Sequence, residues 1–207
     1  MEILQQRIKE FVQKPGFVTK VEAFKKANKY NKKGGIVFLG DSITQAFNVY
    51  EYFNDYLVYN RGIGGDDSVG VFTRLDESVY DLKPSKLFLL LGTNDLTHFK
   101  EDTGTQIGLR LKYLIETIQK NCPETEIFVQ SVYPVNMDTP KRTCEFRSNE
   151  MIDDINNVLK VVEGITYIDM HPVLAVDGLL NEAYTLDGLH FNDEGYEVVR
   201  NELIKYL

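Results

Sequence analysis

The amino-acid sequence predicts a three-layer α/β/α fold built on a parallel sheet. Five short apolar runs alternate along the chain with amphipathic stretches. Unbroken apolar runs of this length are typical of strands buried on both faces, as parallel strands are. The stretches between them place apolar side chains at helical spacing, so the order strand, helix, strand predicts right-handed crossover connections.

The positions of the predicted elements follow from this pattern. The predicted strands are residues 36–39, 57–59, 87–91, 127–129 and 165–168. Helical spacing is clearest at Ile107, Leu111, Leu114, Ile115 and Ile118, and again at Ile152, Ile155, Leu159 and Val162. The tail from Asn192 to Leu207 predicts a closing helix. Residues 2–30 predict helices with a break at Pro15-Gly16, the second helix opening at Thr19 or Lys20.

Length and composition predict one ordinary globular domain. A chain of 207 residues is long enough for one well-buried core and short for two. Apolar residues make up 43% and charged residues 26% of the chain, which is typical of folded globular proteins. We therefore expect a single domain over residues 1–207, with residues 1–33 as a helical extension at its N-terminus.

Charge and cysteine content exclude several classes of partner. A net charge of −8 argues against nucleic acid, which needs a basic patch. No stretch approaches the ~20 apolar residues that span a bilayer. Cys122 and Cys144 form neither a disulfide framework nor a Cys-x-x-Cys pair, and the N-terminus is polar. These features predict a cytoplasmic protein with two free thiols and no membrane span, and a single bridge between the two cysteines stays open as an alternative.

Polar residues cluster directly after the predicted strands and before the last helix. Ligands of open α/β sheets bind beyond the carboxyl ends of the strands, so these residues share one rim. The four rim segments are Gly40-Asp41-Ser42-Ile43-Thr44, Asn60-Arg61-Gly62-Ile63-Gly64-Gly65-Asp66, Gly92-Thr93-Asn94-Asp95 and Asp187-Gly188-Leu189-His190. Together they offer the groups that acyl transfer requires.

Ser42, His190 and Asp187 are the candidate catalytic residues. A serine hydroxyl becomes a good nucleophile only when a base takes its proton, and His190 is the natural base. Asp187 lies three residues before His190, so one turn can carry both and hold the imidazole in the required tautomer. His171 is the main competing base, whereas His98 is expected to be structural or peripheral.

Three groups are candidates for holding the oxyanion of the tetrahedral intermediate. The backbone N–H of Ser42 at a helix N-terminus, the backbone N–H of Gly65 and the side-chain amide of Asn94 come from three different rim segments. Removal of one such donor typically costs ~3 kcal/mol of transition-state stabilisation.

Four further rim residues are candidates for substrate binding: Asp41, Arg61, Asp95 and Tyr133. The segment 133–143, after the fourth strand, is expected to form a rim loop. For each of the four residues a structural role stays open beside a substrate contact.

Taken together, the four rim segments resemble the SGNH hydrolases, or GDSL lipases and acylhydrolases. The family's Ser, Gly, Asn and His match Ser42, Gly65, Asn94 and His190, while Ile43 stands where the GDSL motif has leucine. The second and third segments look most like the branch of platelet-activating-factor acetylhydrolase catalytic subunits. This resemblance implies a flavodoxin-like sheet of order 2-1-3-4-5 and a serine esterase for short acyl groups, acetyl above all, that needs no metal and no cofactor.

Other functions stay open as alternatives. The same site could serve a lysophospholipase or a thioesterase, because family members act on lysophospholipids and thioesters. A nucleotide or phosphate binder on the same fold is disfavoured, since Asp67 stands where Gly-x-Gly-x-x-Gly needs glycine and no P-loop motif occurs. Three scattered histidines without His-Glu-x-x-His disfavour a metal site. The expected partner is a small-molecule ester, and the resemblance leaves a homodimer open.

Overall fold

The computed structural model describes residues 2–139 and 143–207, with only the backbone of residues 2 and 3. Its main sheet has five parallel strands in the order β2-β1-β3-β4-β5, which confirms the predicted fold. The strands are β1 Ile36–Gly40, β2 Val58–Gly62, β3 Lys86–Leu90, β4 Glu126–Gln130 and β5 Thr166–Ile168. A small antiparallel pair, β6 Ala175–Val176 and β7 Leu179–Leu180, precedes the last helix.

Helices connect and flank the strands. They are α1 Glu2–Gln13, α2 Pro15–Asn28, α3 Ser42–Ala46, α4 Val49–Tyr52, α5 Ser68–Phe72, α6 Leu75–Ser78, α7 Asp95–His98, α8 Gly104–Asn121, α9 Asn149–Leu159, α10 His171–Leu174 and α11 Asp193–Leu203, with 3₁₀ turns at Tyr80–Leu82, Glu182–Tyr184 and Ile204–Tyr206. Within the described ranges, no helix is both long and apolar enough to cross a membrane.

A row of phenylalanines crosses one face of the sheet. Phe38, Phe88 and Phe128 pair in register on β1, β3 and β4. Their rings stack at centroid distances of 5.1 and 4.8 Å. Alternation along each strand sends the neighbouring aliphatic side chains to the opposite face, so β1 is buried along its whole length. The continuous apolar runs in the sequence reflect this burial on both sides.

The second helix begins earlier than predicted. α2 starts at Pro15 rather than at Thr19 or Lys20, because proline is favourable at the first helical position, where its missing N–H has no acceptor to bond. Lys14, directly before the proline, has extended backbone angles of φ −77° and ψ 109°. This residue separates α1 from α2 and makes the two helices a hairpin.

The second strand is longer than predicted. It runs to Gly62, in register with Gly40, so Asn60 and Arg61 lie within the strand instead of after it. The Asn60 amide donates hydrogen bonds to the carbonyl oxygens of Thr44 and Phe47 at 2.7 and 2.9 Å. These side-chain bonds tie the end of the strand to the start of the first crossover, which short-range sequence patterns do not reveal.

Replacement of Phe88 tests the contribution of the phenylalanine row. The side chain is 1% exposed and stacks on both sides, so Phe88→Ala leaves a cavity in the sheet core. We expect the free energy of unfolding in urea to fall by about 3–5 kcal/mol. Tyr30, 88% exposed, is the control, and Tyr30→Ala should change it by less than about 0.5 kcal/mol. Equal losses in the two variants would contradict this account of the core.

Candidate active site

Ser42 opens a helix immediately beyond the end of β1. Asp41 is the N-cap of α3, and its Oδ1 accepts a hydrogen bond from the Ile43 N–H at 2.9 Å. Gly40 has no room for a side chain, because a Cβ there would overlap the Leu90 carbonyl oxygen and Thr44. The tight strand-to-helix turn therefore needs glycine, and it places Ser42 at the sheet rim.

His190 reaches Ser42 from the far end of the chain. Its Nε2 lies 2.9 Å from Ser42 Oγ, across a sequence separation of 148 residues. Its Nδ1 lies 2.9 Å from Asp187 Oδ2. An ionised carboxylate only accepts, so Nδ1 carries the proton and Nε2 is left to accept from the Ser42 hydroxyl. The three side chains form one hydrogen-bonded line suited to moving a proton from oxygen to nitrogen.

The turn that carries Asp187 and His190 is closed by its own backbone. Asp187 Oδ1 accepts hydrogen bonds from the N–H groups of Leu189 and His190 at 3.1 and 2.8 Å. Gly188 adopts φ +82°, and a Cβ there would overlap the carbonyl oxygen of Asn136. Glycine is thus required both by the conformation and by the close approach.

Thr143 completes the surroundings of the Asp187 carboxylate. Its Oγ1 donates to Asp187 Oδ2 at 2.6 Å. Partial burial raises the pKa of Asp187, but the hydrogen bonds from Thr143 and His190 outweigh that effect and hold the pKa below its usual value. Asp187 is therefore ionised at neutral pH and can stabilise a positive charge on His190.

Two backbone N–H groups at this rim are candidates for binding an oxyanion. The N–H groups of Ser42 and Gly65 donate no hydrogen bond within the part of the chain that the structure describes. Gly65 has φ +72°, and a Cβ on neighbouring Gly64 would lie 3.9 Å from the Ser42 Cβ. The loop after β2 thus passes directly alongside the serine, where these N–H groups can bind an anionic oxygen.

Arg147 fixes the orientation of Asn94. The Arg147 Nη2 donates to Asn94 Oδ1 at 3.0 Å, and the Asn94 Nδ2 donates to the Asp66 carbonyl at 2.8 Å. Arg147 is itself held by Thr93, whose Oγ1 accepts from its Nε at 2.9 Å. The second hydrogen of the Asn94 amide has no acceptor among the described residues, so it can donate to a bound oxygen.

The sequence did not indicate Arg147 as functional, and it indicated Thr143 only as the last residue of the predicted rim loop 133–143. They lie in the segment before α9, without a motif that distinguishes them, and only the folded chain brings them to Asn94 and Asp187. Within the predicted rim loop 133–143, residues 140–142 lie outside the described residues.

The other two histidines lie apart from the serine. His171 Nε2 lies 3.2 Å from the carbonyl oxygen of Val132, and His98 Nδ1 lies 2.8 Å from Asp67 Oδ2. The geometry thus favours His190 over His171 as the partner of Ser42. Within residues 2–139 and 143–207, no group of three or more His, Cys, Asp or Glu side chains could hold a metal ion.

The structure contradicts substrate contact for the two candidate aspartates. Asp41 and Asp95 are both 0% exposed. Asp41 caps α3, and burial raises its pKa to about 6 despite the hydrogen bond from Ile43. Asp95 accepts hydrogen bonds from both the N–H and the hydroxyl of Ser68. Both carboxylates therefore support loops beneath the site.

Arg61 and Tyr133 are likewise buried, and each donates a hydrogen bond to another part of the protein. Arg61 is 3% exposed, donates to Asn28 Oδ1 at 2.8 Å and lies over the ring of Phe24 at 4.5 Å. Its position inside β2 turns it towards α2. Tyr133 is 4% exposed, and its hydroxyl donates to Gln130. These residues pack the fold, which corrects their prediction as substrate contacts.

Comparison with known proteins places this chain in a family. The model of the GDSL-like lipase/acylhydrolase family matches residues 38–198. The chain belongs to this family. The match to this family indicates a hydrolase of carboxylic esters, as predicted. The helical hairpin α1–α2 lies outside the matched residues.

Individual relatives of this GDSL-like chain differ in how much they share. A Streptococcus pneumonia structure described as a platelet activating factor is 27% identical, with a TM-score of 0.84 over 98% of this chain and 96% of that one. A GDSL-like lipase from Bacteroides thetaiotaomicron VPI-5482 is 21% identical, with a TM-score of 0.77 over 90% and 96%. The latter likeness shows the fold alone.

One curated relative is longer than this chain. The N-acylneuraminate cytidylyltransferase of Escherichia coli O18:K1:H7 (strain RS218 / NMEC) is 33% identical over 186 residues, which cover 86% of this chain and 41% of that protein. The chain thus spans about two fifths of that relative's length.

Replacement of Thr143 tests the setting of Asp187. Thr143→Val removes the hydrogen bond to Oδ2, so the pKa of Asp187 should rise, as a carbon-detected NMR titration would show. Because the folded pKa lies below the unfolded value of ~3.9, Asp187 stabilises the fold above that pH and loses this effect as the pH falls through the folded pKa. Thr143→Val should therefore bring the folded pKa of Asp187 closer to its unfolded pKa, and so reduce the pH dependence of stability between these two values.

The matched control is Thr117→Val on α8, whose hydroxyl donates only to the Tyr113 carbonyl within the described residues. It should leave the Asp187 titration unchanged. An Asp187 pKa that stays the same in Thr143→Val would show that Thr143 does not hold it down.

Proposed function

We propose that this protein is a serine esterase that removes a short acyl group, acetyl in the simplest case, from an alcohol. The observation that carries the proposal is the hydrogen-bonded line from Ser42 through His190 to Asp187, with distances of 2.9 and 2.9 Å. The open N–H groups beside the serine support the same assignment, because acyl transfer develops negative charge on the carbonyl oxygen.

In the first half of the reaction Ser42 is the nucleophile. Its Oγ attacks the ester carbonyl carbon while His190 Nε2 accepts the hydroxyl proton, and Asp187 stabilises the resulting imidazolium. The N–H groups of Ser42 and Gly65 and the amide of Asn94 bind the oxyanion. The bond between the carbonyl carbon and the alcohol oxygen then breaks, and His190 donates its proton to that oxygen. The alcohol leaves, and the acyl group remains bound to Ser42 Oγ.

In the second half a water molecule takes the place of the alcohol. His190 accepts a proton from the water as its oxygen attacks the acyl carbon, and the same three donors hold the second oxyanion. Collapse of this intermediate returns the proton to Ser42 Oγ and releases the carboxylic acid. Each step uses groups that are within reach of one another, and no metal or cofactor enters the sequence.

A relative's name suggests one class of leaving alcohol. N-Acylneuraminate, named in the Escherichia coli relative, is an acidic sugar whose hydroxyls can carry ester-linked acyl groups. An acyl ester of an acidic sugar is therefore one candidate substrate within the esterase proposal. Lysophospholipid and thioester substrates are the competitors, and an acyl-chain-length series on matched alcohols and thiols separates the three.

Replacement of Ser42 is the first test of the proposal. Ser42→Ala removes the attacking oxygen, so turnover of 4-nitrophenyl acetate should fall by at least about 10³-fold. The matched control is Ser85→Ala, at the opposite end of the sheet and exposed, which should keep the full rate. Ser42→Ala with the full esterase rate would refute the nucleophile assignment.

Replacement of Asn94 tests the oxyanion site separately. Asn94→Ala removes one donor that acts most strongly in the transition state, so kcat should fall by about 10²–10³-fold while KM changes little. Asn121→Ala at the exposed end of α8 is the control and should leave both constants unchanged. A rise in KM alone would mean that Asn94 binds the ground state and not the oxyanion.

A further inference from the structure

The turn between α1 and α2 brings a lysine to the catalytic rim. The Nζ of Lys14 lies 3.3 Å from the position that a Cβ on Gly65 would occupy. Gly64, the next residue along this loop, adjoins Ser42, with 3.9 Å between its Cβ position and the Ser42 Cβ. A positive charge from outside the residues matched by the family model thus lies beside the loop that borders the serine.

The turn that carries Lys14 is anchored on both sides. Phe11 and Phe17, three residues before and after it, are 2% and 5% exposed, and they pack together against Ile63. Pro15 excludes helical angles at Lys14 and so fixes the backbone between the two anchors. Because Ile63 immediately precedes Gly64 and Gly65, the anchors hold the lysine over the same loop.

The whole hairpin is fastened to the rim by polar contacts. On α1, Arg7 Nε donates to Asp67 Oδ2 at 2.8 Å, next to the glycine loop. On α2, Asn28 accepts a hydrogen bond from buried Arg61 at 2.8 Å. Gly70 lets α1 approach closely, since a Cβ there would lie 2.8 Å from the Phe11 ring. These contacts therefore fix the position of the hairpin on the rim.

The acidic residues nearest to Gly65 already have cationic partners. Asp66 pairs with Arg74 at 2.7 Å inside the protein, and Asp67 binds both Arg7 and His98. Lys14 forms no ion pair and its ammonium no hydrogen bond within residues 2–139 and 143–207. Its charge is thus available to a ligand, in a protein whose net charge of −8 would otherwise repel anions.

We propose that Lys14 determines specificity by binding an anionic group, a carboxylate or a phosphate, on the alcohol portion of the ester that Ser42 cleaves. The inference rests on the proposed esterase function and names its substrate class. The acyl group is short and ends beside Ser42, so the alcohol is the part with the length to reach a cation beyond Gly65. A flexible ammonium can bind either a carboxylate or a phosphate, because it presents a point charge and not the planar, bidentate geometry of a guanidinium.

Matched phenyl acetates measure this preference. The probes are 4-acetoxybenzoate, 4-acetoxyphenyl phosphate and the neutral methyl 4-acetoxybenzoate, and the readout is the ratio of kcat/KM for each anion to that for the neutral ester. Lys14→Met should lower this ratio about fivefold for at least one anion, as loss of a partly exposed ion pair predicts. The anion with the larger drop distinguishes a carboxylate source from a phosphate source.

Two further variants are controls. Lys14→Arg keeps the charge and should keep the ratio within about twofold. Lys20→Met changes the net charge equally from an exposed position on α2 and should also keep it. An unchanged ratio in Lys14→Met, or an equal drop in Lys20→Met, would overturn the assignment of Lys14.

The outcome separates this inference from the proposed function. If Ser42 is required for cleavage of the neutral ester but Lys14→Met leaves the ratio of kcat/KM values unchanged, only the inference about Lys14 fails. If the neutral ester is not cleaved at all, the esterase proposal fails, and calorimetric titration of Ser42→Ala with 4-acetoxybenzoate and with 4-acetoxyphenyl phosphate then decides on Lys14. The Kd of at least one anion should rise about fivefold when Lys14→Met is added, and an unchanged Kd for both anions would overturn the inference.

Discussion

The parallel register of β2, β1 and β3 is the constraint on which the site depends. Gly40 pairs with Gly62 on one side and with Leu90 on the other, so three strands end at the same level. The loops that follow them carry Ser42, Gly65 and Asn94. A slip of one residue in any of these strands would exchange its two faces and carry its loop away from the others. The phenylalanine row stabilises the register of β1, β3 and β4, because its rings stack only when these strands are aligned.

His190, the candidate base, is positioned by a different part of the fold than Ser42, Gly65 and Asn94. Asp187 and His190 do not follow a strand of the main sheet but occupy a turn between the 3₁₀ turn Glu182–Tyr184 and α11. The hydroxyl of Tyr196 on α11 donates to the Ile43 carbonyl at 2.8 Å, so the closing helix is tied directly to the helix of Ser42. This buried hydrogen bond, together with the one between Ser42 and His190, links the first and last parts of the chain at the site.

Much of this architecture was accessible from the sequence, since buried parallel strands and rim motifs leave local patterns. The predicted start of helix α2 and the predicted end of strand β2 were wrong. Pro15 at the helix start and the side-chain hydrogen bonds of Asn60 depend on local geometry that periodicity does not show. The four substrate candidates failed for a related reason. Asp41 and Arg61 sit within motifs, yet sequence alone does not tell a side chain that faces a ligand from one that braces a loop. Contacts over long sequence separations, such as Arg147 with Asn94, have no local signal at all.

The central claim is that Ser42 forms a covalent acyl intermediate with the help of His190. The most direct measurement is mass spectrometry of the protein quenched with acid during turnover of 4-nitrophenyl acetate, followed by digestion. The account predicts one acetyl group on the peptide that contains Ser42, and none on it when His190 is replaced by alanine. An acetyl group on another side chain, or turnover that persists without the His190 imidazole, would contradict it.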